Sequence, residues 1–170
     1  KGLSTSASET TVATIGRLRL LARWYAEYGA SVGEHEIRTF LVAPLLLALG
    51  WPEQRIKIEY KRADMALWDR PFSDSEATVS TIVETKRLYN SLGDWPKNQA
   101  AGYANNHPSC SKIVITDGFR YKLFQRDEDS SETGGEWGEK AYANLRKLRA
   151  EHPIHPGVGG AGDLILGMLP

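Results

Sequence analysis

The sequence predicts an α/β protein in which helices flank a mixed central sheet. Apolar residues first recur at helical spacing, from Val12 to Tyr28 and again after Glu34. Three short runs that alternate or are rich in β-branched residues follow between residues 56 and 86. A helical segment at 98–106 separates them from two further strand-like runs at 112–124. Helices, three strands, a helix and two strands in this order are typical of an α/β sandwich.

Length and charge limit the function classes that the chain can serve. A chain of 170 residues is long enough for one domain with its own core. The 21 basic side chains balance the 21 acidic ones, so a phosphate-binding surface must be a local cluster of cations. Cys110 is the only cysteine, which excludes an internal disulfide and predicts a cytoplasmic protein. No apolar run reaches the roughly 20 residues that span a bilayer.

The N-terminal third predicts two helices. Residues 1–11 are small and polar and are expected to form a disordered lead-in, followed by a single domain over 12–170 with its core at about 31–126. The second helix is preceded by Ser31-Val-Gly-Glu34, which has the form of a capping box. Pro44 should kink or interrupt that helix, and Gly50 should end it.

Strands dominate the middle of the chain. The predicted strands lie at 56–60, 63–68, 79–86, 112–116 and 119–124. Asp117-Gly118, between the last two, is a strong hairpin signal. Beyond them, residues 126–138 are acidic and rich in glycine and predict a mobile loop. Residues 139–170 predict a C-terminal helix, carrying Tyr142, Leu145 and Leu148, and a tail rich in glycine and proline.

One cluster of polar residues suggests chemistry. Glu84 and Lys86 are two residues apart on a predicted strand, so their side chains project from the same face. A hairpin would bring Asp64 beside them. Two carboxylates can bind a hard divalent cation, and an adjacent ammonium can hold or activate a water. The alternative is a surface ion pair of Glu84 and Lys86, although Ile82 shares their face and argues that the face is covered.

Several motifs occur in order along the chain around this cluster. They are Glu34-His-Glu36-Ile-Arg38, Leu49-Gly50-Trp51, Asp64, Glu84-Thr-Lys86-Arg87, Gln99-Ala-Ala-Gly-Tyr103 and Ile115-Thr-Asp-Gly118. The set covers roughly residues 23–124 and resembles the N-terminal nuclease domain of the restriction subunit of type I restriction–modification enzymes, within the PD-(D/E)xK superfamily. Ala63 stands where the proline that names the superfamily is expected.

The resemblance implies a fold, an activity and a set of residue roles. It implies a PD-(D/E)xK restriction-endonuclease-like fold and an Mg²⁺-dependent endonuclease acting on DNA, with Mn²⁺ as a substitute metal. The catalytic residues would be Asp64, Glu84, Lys86 and Gln99. The metal would be held by Asp64, Glu84 and the carbonyl of Thr85, supported by Glu34. The implied partners are DNA together with motor and specificity or methylation subunits.

DNA contacts are expected from cations near the motif. Arg62, Arg87 and Lys97 are predicted to contact phosphates, and Tyr103 to pack behind Gln99. Two alternatives stay open, namely a DNA-binding module of the same fold that does not cleave and a protein-interaction domain. Glu34 could also serve only as a helix cap.

Two other patterns carry no prediction. The stretch from Gly157 to Gly162 fits G-x-G-x-x-G, but no strand precedes it and too few residues follow for a dinucleotide fold. The chain also contains no P-loop motif, so no motor activity is expected of it.

Overall fold

A mixed six-stranded sheet forms the centre of the molecule. The computed structural model describes residues 4–28, 32–126 and 136–170. Within these ranges the strand order is β1-β2-β3-β4-β5-β6, and β3 and β4 are the one parallel pair of neighbours. The strands are β1 (Ile56–Tyr60), β2 (Ala63–Trp68), β3 (Val79–Thr85), β4 (Lys112–Thr116), β5 (Arg120–Arg126) and β6 (Trp137–Asn144). The predicted class, a mixed sheet flanked by helices, is confirmed.

Helices cover both faces of the sheet. α1 (Thr5–Tyr28), α2 (Glu34–Ile37), α3 (Ala43–Ala48) and α5 (Ala161–Gly167) contribute to the larger core, and α4 (Asp94–Ala104) contributes to the other. The larger core includes Val83 and Val114, whereas Ile82 and Ile113 face α4. The crossover through α4 is what makes β3 and β4 parallel, because two strands joined by a short turn must run antiparallel.

The first helix begins earlier than the sequence predicted. α1 starts at Thr5, so residues 5–11, which were expected to belong to a disordered lead-in, are helical. The Thr11 hydroxyl donates to the carbonyls of Ala7 and Ala48, both at 2.8 Å, and Thr11 is buried. This prediction was wrong because small polar residues were interpreted as solvent-exposed, whereas Thr11 packs against α3. Residues 1–3 lie outside the described ranges.

The second helical segment is continuous but irregular. α2 passes into a π-helical turn at Arg38–Val42 and then into α3, which has Pro44 near its start. The predicted interruption by Pro44 therefore takes the form of a π turn just before it, since proline offers no N–H. The segment ends at Ala48, and Gly50 adopts a positive φ of 96° as expected for a helix stop.

The cap of this segment differs from the predicted one. The Gly33 N–H donates to Glu36 Oε2 at 3.0 Å, so Glu36 is the capping carboxylate in place of Glu34. Ser31, the other member of the predicted box, lies outside the described residues. Glu34 is thereby left without the capping role that was its alternative assignment.

The C-terminal region also differs from the prediction. Residues 139–144, expected to be helical, belong to β6, which pairs antiparallel with β5. Ala141 and Ala143 are buried and define a period of two, whereas the helix was predicted from Tyr142, Leu145 and Leu148, which are three residues apart. The tail beyond contains α5, whose Leu164 joins the larger core. Most of the predicted loop at 126–138 lies outside the described residues.

None of the helices in the described ranges is both long and apolar enough to cross a bilayer.

Candidate functional site

The pairing of β2 with β3 brings the two predicted carboxylates together. Met65 pairs with Val83, and one step further along the antiparallel register Asp64 stands opposite Glu84. Directly opposed residues in such a pair have Cβ atoms roughly 4.5–5.5 Å apart and project from the same face. The charge of Asp64 raises the pKa of Glu84, so the two carboxylates are within electrostatic reach of each other. Glu84 shares the face of Ile82 and α4, whereas Asp64 contacts Arg38 and the Thr85 hydroxyl.

Glu84 and Lys86 form a buried ion pair in this site. Lys86 Nζ lies 2.6 Å from Glu84 Oε1, and the two residues are 6% and 2% exposed. The other carboxylate oxygen, Glu84 Oε2, is buried and has no hydrogen-bond partner among the described residues. An unpaired buried carboxylate oxygen is costly, and such an atom in a folded protein calls for an explanation such as a bound ion.

Burial raises the pKa of Glu84 to about 7. The hydrogen bond from Lys86 acts in the opposite direction, and the negative charges of Asp64 and Glu34 raise the pKa further. The structure thus brings Glu34, at the start of α2, within electrostatic reach of Glu84. A cation bound beside these carboxylates would favour the ionised form of Glu84.

Asp64 is held by three donors in a fixed orientation. Its Oδ2 accepts the N–H and the hydroxyl of Thr85, both at 2.7 Å, and its Oδ1 accepts Arg38 Nη2 at 2.8 Å. Thr85 thus orients Asp64 through its N–H and side chain, and the predicted metal contact of its carbonyl stays a prediction. The sequence analysis assigned Arg38 no role, although its position four residues after Glu34 places both on one helix face.

Arg38 is a buried cation between two acidic side chains. Besides Asp64, it contacts Glu59 Oε1 at 3.2 Å, and only 7% of its side chain is exposed. Its Nε is buried and has no partner within the described ranges. The guanidinium comes from the π-helical turn, and such turns are frequent at functional sites.

A chain of hydrogen bonds leads away from Lys86 along α4. Lys86 Nζ donates to Gln99 Oε1 at 3.2 Å, and Gln99 Nε2 donates to the Tyr103 hydroxyl at 3.0 Å. Lys86 Nζ also lies 4.8 Å from the centroid of the Trp95 ring, which is 70% exposed. Trp95 was missed at the sequence level, where the only signal was a large aromatic at the start of a helix.

The predicted DNA-binding residues do not all lie together. Arg62 is exposed on the β1–β2 turn and lines a groove together with Tyr103. Arg87 is exposed and immediately follows the site. Lys97 instead lies over the Phe124 ring of β5, at 5.9 Å from its centroid.

The donor set suits a divalent cation that keeps much of its water. In the described part of the chain, no group of three or more His, Cys, Asp or Glu residues is arranged to hold a metal ion. Mg²⁺, however, is commonly bound by one or two carboxylates together with waters and substrate phosphates. Asp64 and the unpartnered Glu84 Oε2 fit that pattern, and a cation at Asp64 Oδ1 would replace Arg38 there.

Comparison of the chain with protein-family models, with curated proteins and with solved structures found no match.

Proposed function

We propose that this chain is an Mg²⁺-dependent nuclease domain of the PD-(D/E)xK restriction-endonuclease type, which hydrolyses phosphodiester bonds in DNA. The observation that carries the proposal is the unpartnered Glu84 Oε2, buried opposite Asp64 and beside Lys86. The Glu139–Lys122 pair of β6 also leaves one buried carboxylate oxygen without a hydrogen-bond partner, but that oxygen faces His152 at 3.6 Å, whereas Glu84 has the second carboxylate of Asp64 within electrostatic reach. The resemblance to the restriction subunit of type I enzymes adds motor and specificity or methylation subunits as the proposed partners.

Each residue has a role that follows from its contacts. Asp64 and Glu84 would hold the metal, and Thr85 orients Asp64. When bound, the metal supplies Lewis-acid polarisation of the scissile phosphate. Lys86 has three amine protons, two of which engage Glu84 and Gln99, so the third can hold the attacking water. Gln99 fixes the position of Lys86, and Tyr103 fixes that of Gln99.

A second candidate function is a DNA-binding module of the same fold that does not cleave. The ion pair between Arg38 and Asp64 favours it, because the guanidinium already neutralises one of the two carboxylates that a metal needs. Metal binding distinguishes the two candidates. A cleaving domain binds Mn²⁺ with an affinity that depends on Glu84, whereas a non-cleaving module does not.

The test is cleavage of supercoiled plasmid by the purified chain with Mg²⁺ at low ionic strength. Low salt is needed because a chain with zero net charge has weak unaided affinity for DNA. We expect slow nicking that EDTA abolishes and that Glu84→Gln reduces by roughly 100-fold or more, as for loss of a main electrostatic contact to the transition state.

A matched control comes from the other end of the sheet. Glu139 of β6 pairs with Lys122 at 2.8 Å and is also a partly buried carboxylate beside a lysine. Glu139→Gln should nick plasmid at the wild-type rate. Equal loss of activity in both variants, or Mg²⁺-dependent nicking that survives Glu84→Gln, would contradict the assignment of the site.

A further inference from the structure

A groove adjoins the candidate site on the side of Tyr103. Its volume is about 570 Å³, which is within the usual range for ligand sites of roughly 300–1,000 Å³. Tyr60 at the end of β1 and Lys61 and Arg62 of the β1–β2 turn form one wall, and Gly102, Tyr103 and His107 form the other. Because Tyr103 bonds Gln99, which bonds Lys86, the groove begins two hydrogen bonds from the predicted catalytic lysine.

The walls combine cations with aromatic rings. Lys61 and Arg62 are exposed at the turn, and the rings of Tyr60 and His107 lie 5.7 Å apart. Burial lowers the pKa of His107 and the charge of Lys61 lowers it further, which favours the neutral imidazole. Aromatic faces beside cations are the combination with which proteins bind single strands, since bases stack on the rings and phosphates contact the cations.

The backbone on both sides of Tyr60 is in the left-handed region. Glu59 and Lys61, on either side of it, have positive φ values of 55° and 56°, although neither is glycine. Such conformations are uncommon for residues with a side chain and concentrate at functional sites. A second cavity of about 260 Å³, which Tyr60 and His107 also line, extends the concave surface past this pair.

We propose that this groove takes one unpaired nucleotide of a DNA strand next to the scissile phosphate. Its base would stack on Tyr60, beside His107, in place of the Lys61 ammonium that lies 5.2 Å from the Tyr60 ring centroid, and its phosphate would contact Lys61 and Arg62. A base that has left the stack can reach these rings, whereas a base paired within a duplex cannot. The substrate class is therefore DNA with single-stranded character, such as a frayed end or a flap. The inference rests on the proposed nuclease function.

Gly102 offers a substitution that fills the groove without disturbing the fold. It lies within α4, lines the groove, and a Cβ added to it would meet no atom within 4 Å. Gly102→Leu should therefore block the groove while improving helix propensity. Gly16 in α1 is the matched control, because a Cβ there also meets nothing within 4 Å and Gly16 does not line the groove.

The experiment measures fluorescence anisotropy with a labelled DNA strand of about 12 nucleotides, single or annealed to its complement, in EDTA so that no cleavage occurs. We expect the wild type to prefer the single strand. Gly102→Leu should weaken single-strand binding by roughly tenfold or more, the cost of one lost base stack, and leave duplex binding unchanged. Gly16→Leu should bind both as the wild type does.

Two results would overturn the inference. One is equal affinity of Gly102→Leu and the wild type for the single strand. The other is equal weakening of duplex and single-strand binding, which would indicate a general loss of DNA affinity. Neither depends on cleavage, so failure of the proposed nuclease function is recognised separately, by absence of Mg²⁺-dependent nicking with the wild type.

Discussion

Two buried carboxylates at the ends of neighbouring parallel strands differ in how they are satisfied. Glu84 lies near the end of β3, and Asp117 directly follows β4, whose Thr116 pairs with Thr85. Both are almost fully buried, and each has a cation two or three residues further along, Lys86 in one case and Arg120 in the other. In sequence they are similar, but only one of them has an oxygen without a partner.

Asp117 is saturated with donors. Its Oδ1 accepts the N–H groups of Phe119 and Arg120, and its Oδ2 accepts the Tyr89 N–H and two guanidinium nitrogens of Arg120. The turn it organises also needs Gly118, where φ is 82° and a Cβ would lie 2.5 Å from Leu41. Every lone pair that Asp117 can offer is thus used inside the fold, which leaves no capacity for a ligand.

Glu84 lacks this local support. Lys86 satisfies one oxygen, and no described residue satisfies the other. The difference indicates that Asp117, whose bonds are all made within the fold, is structural, whereas Glu84 keeps one oxygen that can bind a cation.

The largest expected effect is on stability, from Asp117→Ala. The substitution leaves buried N–H groups without an acceptor and Arg120 without its counter-ion, and should cost about 3–5 kcal/mol of unfolding free energy. Glu84→Gln should cost less, because it removes a poorly solvated charge and its amide oxygen can still accept from Lys86, although that buried ammonium loses its counter-ion. Urea unfolding of both variants measures the difference, and equal destabilisation would refute the distinction.

The next effect is on the pH dependence of stability in metal-free protein. Since the pKa of Glu84 is raised to about 7 on folding, the folded state keeps a proton that the unfolded chain releases above its ordinary value of 4.5. Stability should therefore fall as pH rises between these two values, by up to about 1.4 kcal/mol per pH unit. The unfolding free energy of Glu84→Gln should lack this component. Identical pH profiles of the variant and the wild type would show that Glu84 is ionised throughout.

A smaller effect concerns cation affinity. Arg38 donates to Asp64 Oδ1 and would compete with a cation there, so Arg38→Gln should tighten Mn²⁺ binding. Each 1.4 kcal/mol of competition that is removed lowers the dissociation constant about tenfold. Titration calorimetry measures the dissociation constant. Arg120→Gln is the control, since Asp117 keeps its backbone donors and should bind no cation. Weaker Mn²⁺ binding by Arg38→Gln would mean that Arg38 orients the site and does not compete for it.

The smallest expected effect is the loss of unfolding free energy in Arg120→Lys. A lysine can keep one contact with Asp117 but loses the second guanidinium contact and the bond to the Asn90 carbonyl. Three backbone N–H donors remain, so the loss of unfolding free energy should be about 1 kcal/mol or less. Thermal unfolding measures it, and a loss as large as that of Asp117→Ala would show that the backbone donors contribute little.

The sequence by itself determined the order of elements from α2 to β5 and the shared face of Glu84, Lys86 and Ile82. It also predicted the hairpin at Asp117-Gly118, which the structure forms between β4 and β5. These features follow from local rules, namely side-chain periodicity, the position of proline and glycine, and the connection length that separates parallel from antiparallel pairs.

The tertiary structure alone decided which charges are satisfied and which are not. Arg38 reaches Asp64 across 26 residues, Thr11 bonds Ala48, and β6 forms where residues 139–144 had suggested a helix. None of these contacts has a local signal, because each depends on how distant segments pack. The same holds for the free oxygen of Glu84: the pattern places a carboxylate on the strand, but its hydrogen bonding depends on donors from elsewhere in the fold.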